Sequence, residues 1–170
     1  MDAFLAVASK REVREYSDEP IPGDLRRRIL HAGRIAGSAS NRQPWRFLVL
    51  EDEELREGVA ETVFEPTNVL GASFTVAIVV SGKGPLAFDA GRAAQNMMLA
   101  AWNEGVGSSP NGMPDPEATA ELLGVREGER PVMILTFGYP ARPRDPEARS
   151  LEDWLGKAKR KPLEELVETR

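Results

Sequence analysis

Lys10, Arg11 and Arg14 crowd into the stretch SKREVREY, and Lys157, Lys159, Arg160 and Lys161 into KAKRKPLEELV near the opposite end of the chain. Between them lies SASNRQPWRF, residues 38–47, which sets Ser38, Ser40, Asn41 and Gln43 immediately before a proline, a tryptophan and a strand-like run. Lysine and arginine clusters bind anions, most strongly through charge-assisted hydrogen bonds to phosphate. Side-chain amides offer a donor and an acceptor side by side, which matches a heterocycle with an amide-like edge. Each stretch alone has an ordinary explanation: a solvated charged turn, a helix end leading into a strand with Trp45 as core, and a solubilising basic tail.

The rest of the chain is poor in catalytic side chains. There is no cysteine, so thiol chemistry and Cys-based zinc sites are excluded, and His31 is the single histidine. His31 sits in the amphipathic pattern DLRRRILHAGRIA, where it reads as a helix-surface residue, and no G-x-S-x-G stretch accompanies it. SGKGPLAF falls short of a G-x-x-x-x-G-K-[ST] phosphate loop, and the G-x-G-x-x-G dinucleotide pattern is missing. No metal site is expected. A formal net charge of −5 argues against nucleic acid as a partner. No apolar run approaches the roughly 18 residues of a membrane span. The start, MDAFLAVASKR, has acid before its apolar run and base after it, the reverse of a secretory signal, so a cytoplasmic protein with no membrane partner is expected. An enzyme with this inventory would rely on a bound cofactor for its chemistry.

The elements that must position these residues follow from periodicity. A short helix is expected over 2–8. A second runs from Pro22 and Asp24 to about Ala36, with Leu25, Ile29 and Ala32 on one face and Gly37 as its stop. Trp45 to Glu51 reads as a strand and DEELREGVAETV as a helix. ASFTVAIVVSG reads as a central buried strand, because its β-branched residues run on without polar alternation. The longest helix signal starts at Pro85 and stops at Gly105. SSPNGMPDP reads as a loop, DPEATAELLGV as a short helix closed by Gly124, and RPVMILTFGYP as the third strong strand. The tail beyond residue 140 is rich in charge and proline yet keeps Trp154, Leu155, Leu163, Leu166 and Val167, which a free linker has no reason to carry. We read 1–170 as a single domain, α/β or α+β, with helices packed on a sheet.

Taken together, the cationic clusters and the amide stretch fit one ligand, flavin mononucleotide. Its phosphate calls for several Lys or Arg groups, and its ring edge for side-chain amides and hydroxyls. The sequence resembles the FMN-dependent nitroreductase family, whose signature R-R-S-V-R-x-[FY], P-[IV], A-P-S-x-x-N-x-Q-P-W-x-F and R-K-P-L-E-E appears here in order as KREVREY, EPIP, AGSASNRQPWRF and KRKPLEEL. DAGRAAQNMMLAAWNEGVGS is similar to the family's long central helix.

The resemblance implies an α+β nitroreductase-like fold with a central, mainly antiparallel sheet flanked by helices, in an intertwined homodimer with FMN at the interface. The arm from about residue 141 to 170 would pack on the partner subunit. Carried over by position, Lys10, Arg11 and Arg14 would hold the phosphate with Arg160, Lys159 or Lys161 being the alternatives to Arg160. Ser38, Ala39 and Ser40 would line the flavin from the other subunit. Asn41 would face the polar ring edge, with Gln43 near it or supporting the loop, and Asn111 and Gly112 would bring backbone close to the ring. Trp45 is assigned to packing. Flavin would then pass reducing equivalents from NAD(P)H to a nitroaromatic, quinone or similar small-molecule electron acceptor. The same parts would serve a dehalogenating, desaturating or flavin-cleaving relative, or a flavin-binding protein without turnover.

Three positions depart from the family pattern: Glu12 stands where serine is common, Gly37 replaces proline, and Lys10 replaces arginine. A carboxylate near a phosphate should weaken affinity unless it turns away, pairs with an arginine or accepts from ribityl hydroxyls.

Overall fold

The computed structural model of the protein describes residues 1–170. The chain divides into two compact units, Arg11–Arg144 and a smaller one made of Met1–Lys10 with Asp145–Arg170.

The larger unit is built on four strands: β1 (Trp45–Val49), β2 (Phe74–Ser81), β3 (Gly107–Asn111) and β4 (Glu129–Gly138), in the order β1-β2-β4-β3. Every pairing is antiparallel, with Trp45 opposite Val80 and Ser108 opposite Phe137. Together with the helices around it this is the expected α+β architecture with an antiparallel sheet. The near-continuous apolar run of β2 is explained by its central place, since both of its faces are covered. Phe74, Val76, Ile78 and Val80 point into one core with α2 (Gly23–Arg34) and α5 (Leu86–Asn103). Ala77 of the opposite face joins Val59, Ala60 and Val63 of α3 (Glu53–Glu61) and its end, Val69 of α4 (Pro66–Leu70), and Ile134. The sixth helix, α6 (Pro116–Leu123), is capped by Asp115 and ends at Gly124 with φ +55°.

α2 and α5 cross closely because Gly33 has no side chain: a Cβ there would lie 2.7 Å from Met97 Sδ. A guanidinium–carboxylate fork ties the outer part of the sheet together. Arg46 of β1 reaches past β2 to Glu129 of β4, with Arg46 Nε donating to Glu129 Oε1 at 2.9 Å and Nη2 to Oε2. That fork, with help from the Arg126 N–H, pulls the Glu129 carboxyl from 4.5 down to about 2. A depressed acid pKa contributes stability above the unfolded value and loses it as pH falls through the folded one. Between pH 4.5 and 2 the wild-type protein should therefore lose stability that Glu129→Gln never had. Urea midpoints measured across that range should fall more steeply for wild type than for the variant.

One segment expected to be a loop is a strand. Gly107–Asn111 forms β3 at the sheet edge, although its composition of glycine, serine and proline reads as a turn. An edge strand tolerates Pro110, whose missing N–H can face away from the ladder. Pairing with the strongly apolar β4 overrides local propensity. The short α4 and a helix in the tail are likewise additions to the expected elements.

In the smaller unit, α1 (Ala3–Ser9), capped by Asp2, packs with α7 (Leu151–Lys157), capped by Ser150. Trp154 is the buried anchor here. Its indole N–H donates to Pro146 O at 2.8 Å, and Arg149 lies over the ring at 5.0 Å. Phe4, Val7, Leu155, Leu163, Leu166 and Val167 remain exposed. No helix is long and apolar enough to cross a membrane.

Candidate functional site

Arg14 is held by the sheet edge. The segment 12–17 runs beside β3 and the end of β4: Val13 N donates to Ser108 O at 3.0 Å, Ser17 N to Tyr139 O at 2.8 Å, and Ala141 N to Glu15 O at 3.0 Å. Two glycines permit this approach. A Cβ on Gly107 would lie 2.6 Å from Val13 Cβ, and one on Gly138 would lie 2.7 Å from the Tyr16 ring. Tyr16 then turns inward, where burial pushes its hydroxyl up to about 12 while a hydrogen bond with Thr136 Oγ1 at 3.0 Å partly offsets that rise. Val13 and Tyr16 thus act as pegs that leave Arg14 exposed between them. Arg14 lines a cavity of about 300 Å³ together with Arg142 and Arg144, and with Glu12 and Glu15. Arg142 and Arg144 are not among the sequence candidates; they follow GYP at the start of the charged, proline-rich arm, and only the return of that segment beside residue 15 brings them to Arg14.

The amide stretch folds into a strained loop. Ser40, Asn41 and Gln43 have φ of +52°, +54° and +49°, three of the four left-handed non-glycine residues in the chain. Each such residue costs on the order of 1–3 kcal/mol, so the conformation persists only where neighbours over-determine it. Here they do. Asp89, in the first turn of α5 and only 2% exposed, accepts from Ala39 N at 3.1 Å. Ser38 Oγ accepts from Gln43 N at 2.9 Å, and Gln43 Nε2 donates to Asn41 O at 3.1 Å. The Ser38 hydroxyl and the Gln43 amide therefore brace the loop, while the Ser40 and Asn41 side chains face solvent with no partner in the chain. Gly37 lies under the Arg92 guanidinium, which a Cβ there would strike. A proline at 37, usual in the family, would need that arginine to move. Trp45 packs against the main core, as assigned from the sequence.

Asn111 ends β3 and is 3% exposed. Its carboxamide is fully engaged: Nδ2 donates toward Ser109 O, Ile134 O and Thr136 Oγ1 at 3.1–3.2 Å, and Oδ1 accepts from Asn68 Nδ2 at 2.8 Å. The Asn111 side chain is therefore not available to a ligand. Gly112 O in turn accepts from Phe64 N at 3.1 Å, which leaves the Phe64 ring exposed beside it.

Arg11, Arg14, the 38–43 loop and Asn111–Gly112 all belong to the larger unit, whereas Lys10, Arg160 and Lys161 belong to the smaller one. Arg11 and Lys10 are half-buried, and Arg160 and Lys161 are exposed. Lys159, beside Arg160, is the fourth left-handed non-glycine residue, with φ +48°. No three His, Cys, Asp or Glu side chains gather where they could hold a metal ion. The Ser40 hydroxyl and Asn41 amide are donors of the kind a flavin ring edge takes, and the cavity beside Arg14 sets three guanidinium groups against two carboxylates, Glu12 and Glu15, a net positive lining of the kind a phosphate takes.

Comparison with known proteins bears on the fold and the family. Residues 7–82 and 85–139 match the profile of the nitroreductase family. A protein of Methanothermobacter thermautotrophicus, provisionally named NADH dehydrogenase/NAD(P)H nitroreductase, is 30% identical over 171 residues, covering 91% of this chain and 88% of its own. Among solved structures, a nitroreductase family protein from Clostridium difficile superposes with a TM-score of 0.82 at 22% identity, covering 99% of this chain and 98% of that one. An NADPH:FMN oxidoreductase from Vibrio harveyi, solved with NAD+, has a TM-score of 0.76 at 24% identity, covering 81% of this chain and 68% of its own. With a profile match across most of its length and a relative 30% identical over nearly the whole of both chains, this chain belongs to the nitroreductase family.

Proposed function

We propose that this protein is an NAD(P)H-dependent flavin oxidoreductase that binds FMN and passes electrons to a nitroaromatic, quinone or similar small acceptor. The observation that carries the reading is the braced loop at 38–43, which spends conformational energy to present Ser40 and Asn41 outward in a chain of the nitroreductase family. The relative named as an NAD(P)H nitroreductase supports the nicotinamide, and the Vibrio neighbour supports FMN.

The flavin supplies the redox chemistry. The chain's own residues bind and orient it. Arg14, with Lys10, Arg11 and Arg160 or its neighbour Lys161, neutralises the phosphate. Ser38 and Ala39 shape the loop, Ser40 and Asn41 hydrogen-bond the ring, and the Asn111–Gly112 backbone stands beside it. We assign the working state as a cytoplasmic homodimer in which the exposed apolar residues of the terminal arm are covered by the partner, the whole of 1–170 acting as one domain.

The test is the visible spectrum of the purified protein after incubation with FMN, followed by anaerobic addition of NADH or NADPH. A yellow protein that either nicotinamide bleaches is expected. A protein that remains colourless after incubation overturns the flavin reading, and a yellow protein that neither bleaches overturns the reductase reading. Arg14→Ala and Arg160→Ala should each raise the FMN dissociation constant roughly tenfold or more, the loss of one hydrogen bond to a charged group. Fluorescence titration would measure this, and unchanged affinity in both variants would refute the phosphate assignment.

A further inference from the structure

The stretch SGKG, residues 81–84, is a turn of unusual construction. Gly82 and Gly84 have φ of +92° and +118°, and Arg42 is laid against the turn, its Nη1 donating to Lys83 O at 3.1 Å. A Cβ on Gly84 would sit 3.1 Å from that same nitrogen. The turn forms one wall of a cleft of about 440 Å³ that Arg42, Gln43, Arg46, Lys83, Arg126 and Glu129 also line.

The charges in this cleft do not cancel. Glu129 is its one carboxylate, and it is spent: Arg46 grips it with two nitrogens, and its Oε2 also accepts from Arg126 N at 2.9 Å. Arg42, Lys83 and Arg126 are exposed and have no carboxylate within ion-pairing distance. Three cations without an ion-pair partner on one concave surface, Arg126 near enough to Glu129 to feel its charge, are notable in a chain of net charge −5. Such a surface focuses positive potential and suits a phosphate monoester dianion. Gln43 lines the cleft and also braces the 38–43 loop, so the two features are contiguous.

We propose that this cleft receives the 2′-phosphate of NADPH and makes NADPH the preferred reductant. The assignment rests on the oxidoreductase reading above, and on Gln43, which both braces the 38–43 loop that would hold the flavin and lines the cleft. Arg42, already fastened by one nitrogen to Lys83 O, has its remaining donors for the phosphate, and Lys83 and Arg126 supply charge from the other walls. An inorganic phosphate offers the same chemistry without the nucleoside.

The experiment compares 2′,5′-ADP, 5′-ADP and inorganic phosphate by calorimetry on the flavin-loaded protein, and NADPH against NADH in steady-state turnover. We expect 2′,5′-ADP to bind about tenfold or more tighter than 5′-ADP, as for one added charge-assisted hydrogen bond. Lys83→Ala and Arg126→Ala should abolish that difference and raise the KM for NADPH about tenfold more than that for NADH. Equal affinity for the two nucleotides overturns the proposal, as does phosphate binding as tightly as 2′,5′-ADP. Turnover that is indifferent to both substitutions overturns it too. A protein that neither nicotinamide reduces, yet binds 2′,5′-ADP in a Lys83-dependent way, retains the cleft assignment while the reductase reading fails.

Discussion

Replacing Asn111 by alanine should lower the unfolding free energy by about 2–5 kcal/mol, the range for breaking a buried hydrogen-bond network. The size follows from what the carboxamide holds together. Its two amide hydrogens are shared among Ser109 O, Ile134 O and Thr136 Oγ1, and its oxygen accepts from Asn68. Thr136 Oγ1 donates to Ser109 O at 3.2 Å and meets the Tyr16 hydroxyl, so the network runs from the Arg14 segment through β4 and β3 to α4. Alanine removes the side-chain donor from Ile134 O and the acceptor from the Asn68 amide, and leaves Ser109 O with the Thr136 hydroxyl, in a site that excludes water. Asn111→Asp is the sharper control. It places an acceptor-only carboxylate against those carbonyls at neutral pH, so it should destabilise at least as much as alanine and recover in part as acid protonates it. Chemical unfolding at two pH values measures both effects. An Asn111→Asp protein as stable as wild type at neutral pH would show that the network carries little of the fold's stability.

Asp89→Ala should weaken FMN binding roughly tenfold while Asp89→Asn stays close to wild type, because asparagine keeps an oxygen to accept from Ala39 N. The reasoning is one of populations. The left-handed residues at 40, 41 and 43 each cost on the order of 1–3 kcal/mol, and without Asp89 the loop gains access to relaxed conformations. Apparent affinity falls by the fraction of molecules that still hold the competent form. Asp89 touches no ligand in this account; it acts through Ala39. Fluorescence titration gives the FMN constants, and rescue by asparagine separates the loop's geometry from the loss of a buried charge. If asparagine were as damaging as alanine, the charge in the first turn of α5, rather than the hydrogen bond, would be what matters.

These two residues mark the boundary of what could be read in advance. Asn41, Gln43 and Arg14 are legible only in combination, because the amide stretch and the cationic clusters each have an ordinary explanation alone but together fit one ligand and the motifs of one family. The apolar periods of α2, α5, β2 and β4 were plain. Asp89 was invisible: an acid in the first turn of a helix is ordinary, and nothing local ties it to residue 39. β3 was hidden for a similar reason. Its glycine, serine and proline carry turn propensity, and its strand character is imposed by β4.

Composition and spacing determined that this chain has few acid–base or thiol groups to offer, that it contains an amide-rich loop and cationic clusters far apart in sequence, and that a fully buried strand lies at its centre. Those are properties of residue type and period, which are local. The tertiary structure alone decided that Arg142 and Arg144 stand beside Arg14, that Asn111 turns its side chain inward, and that the SGKG turn gathers Arg42, Lys83 and Arg126 on one surface. Each depends on segments distant in sequence meeting at the edges of the sheet, and no pattern within a single segment specifies that meeting.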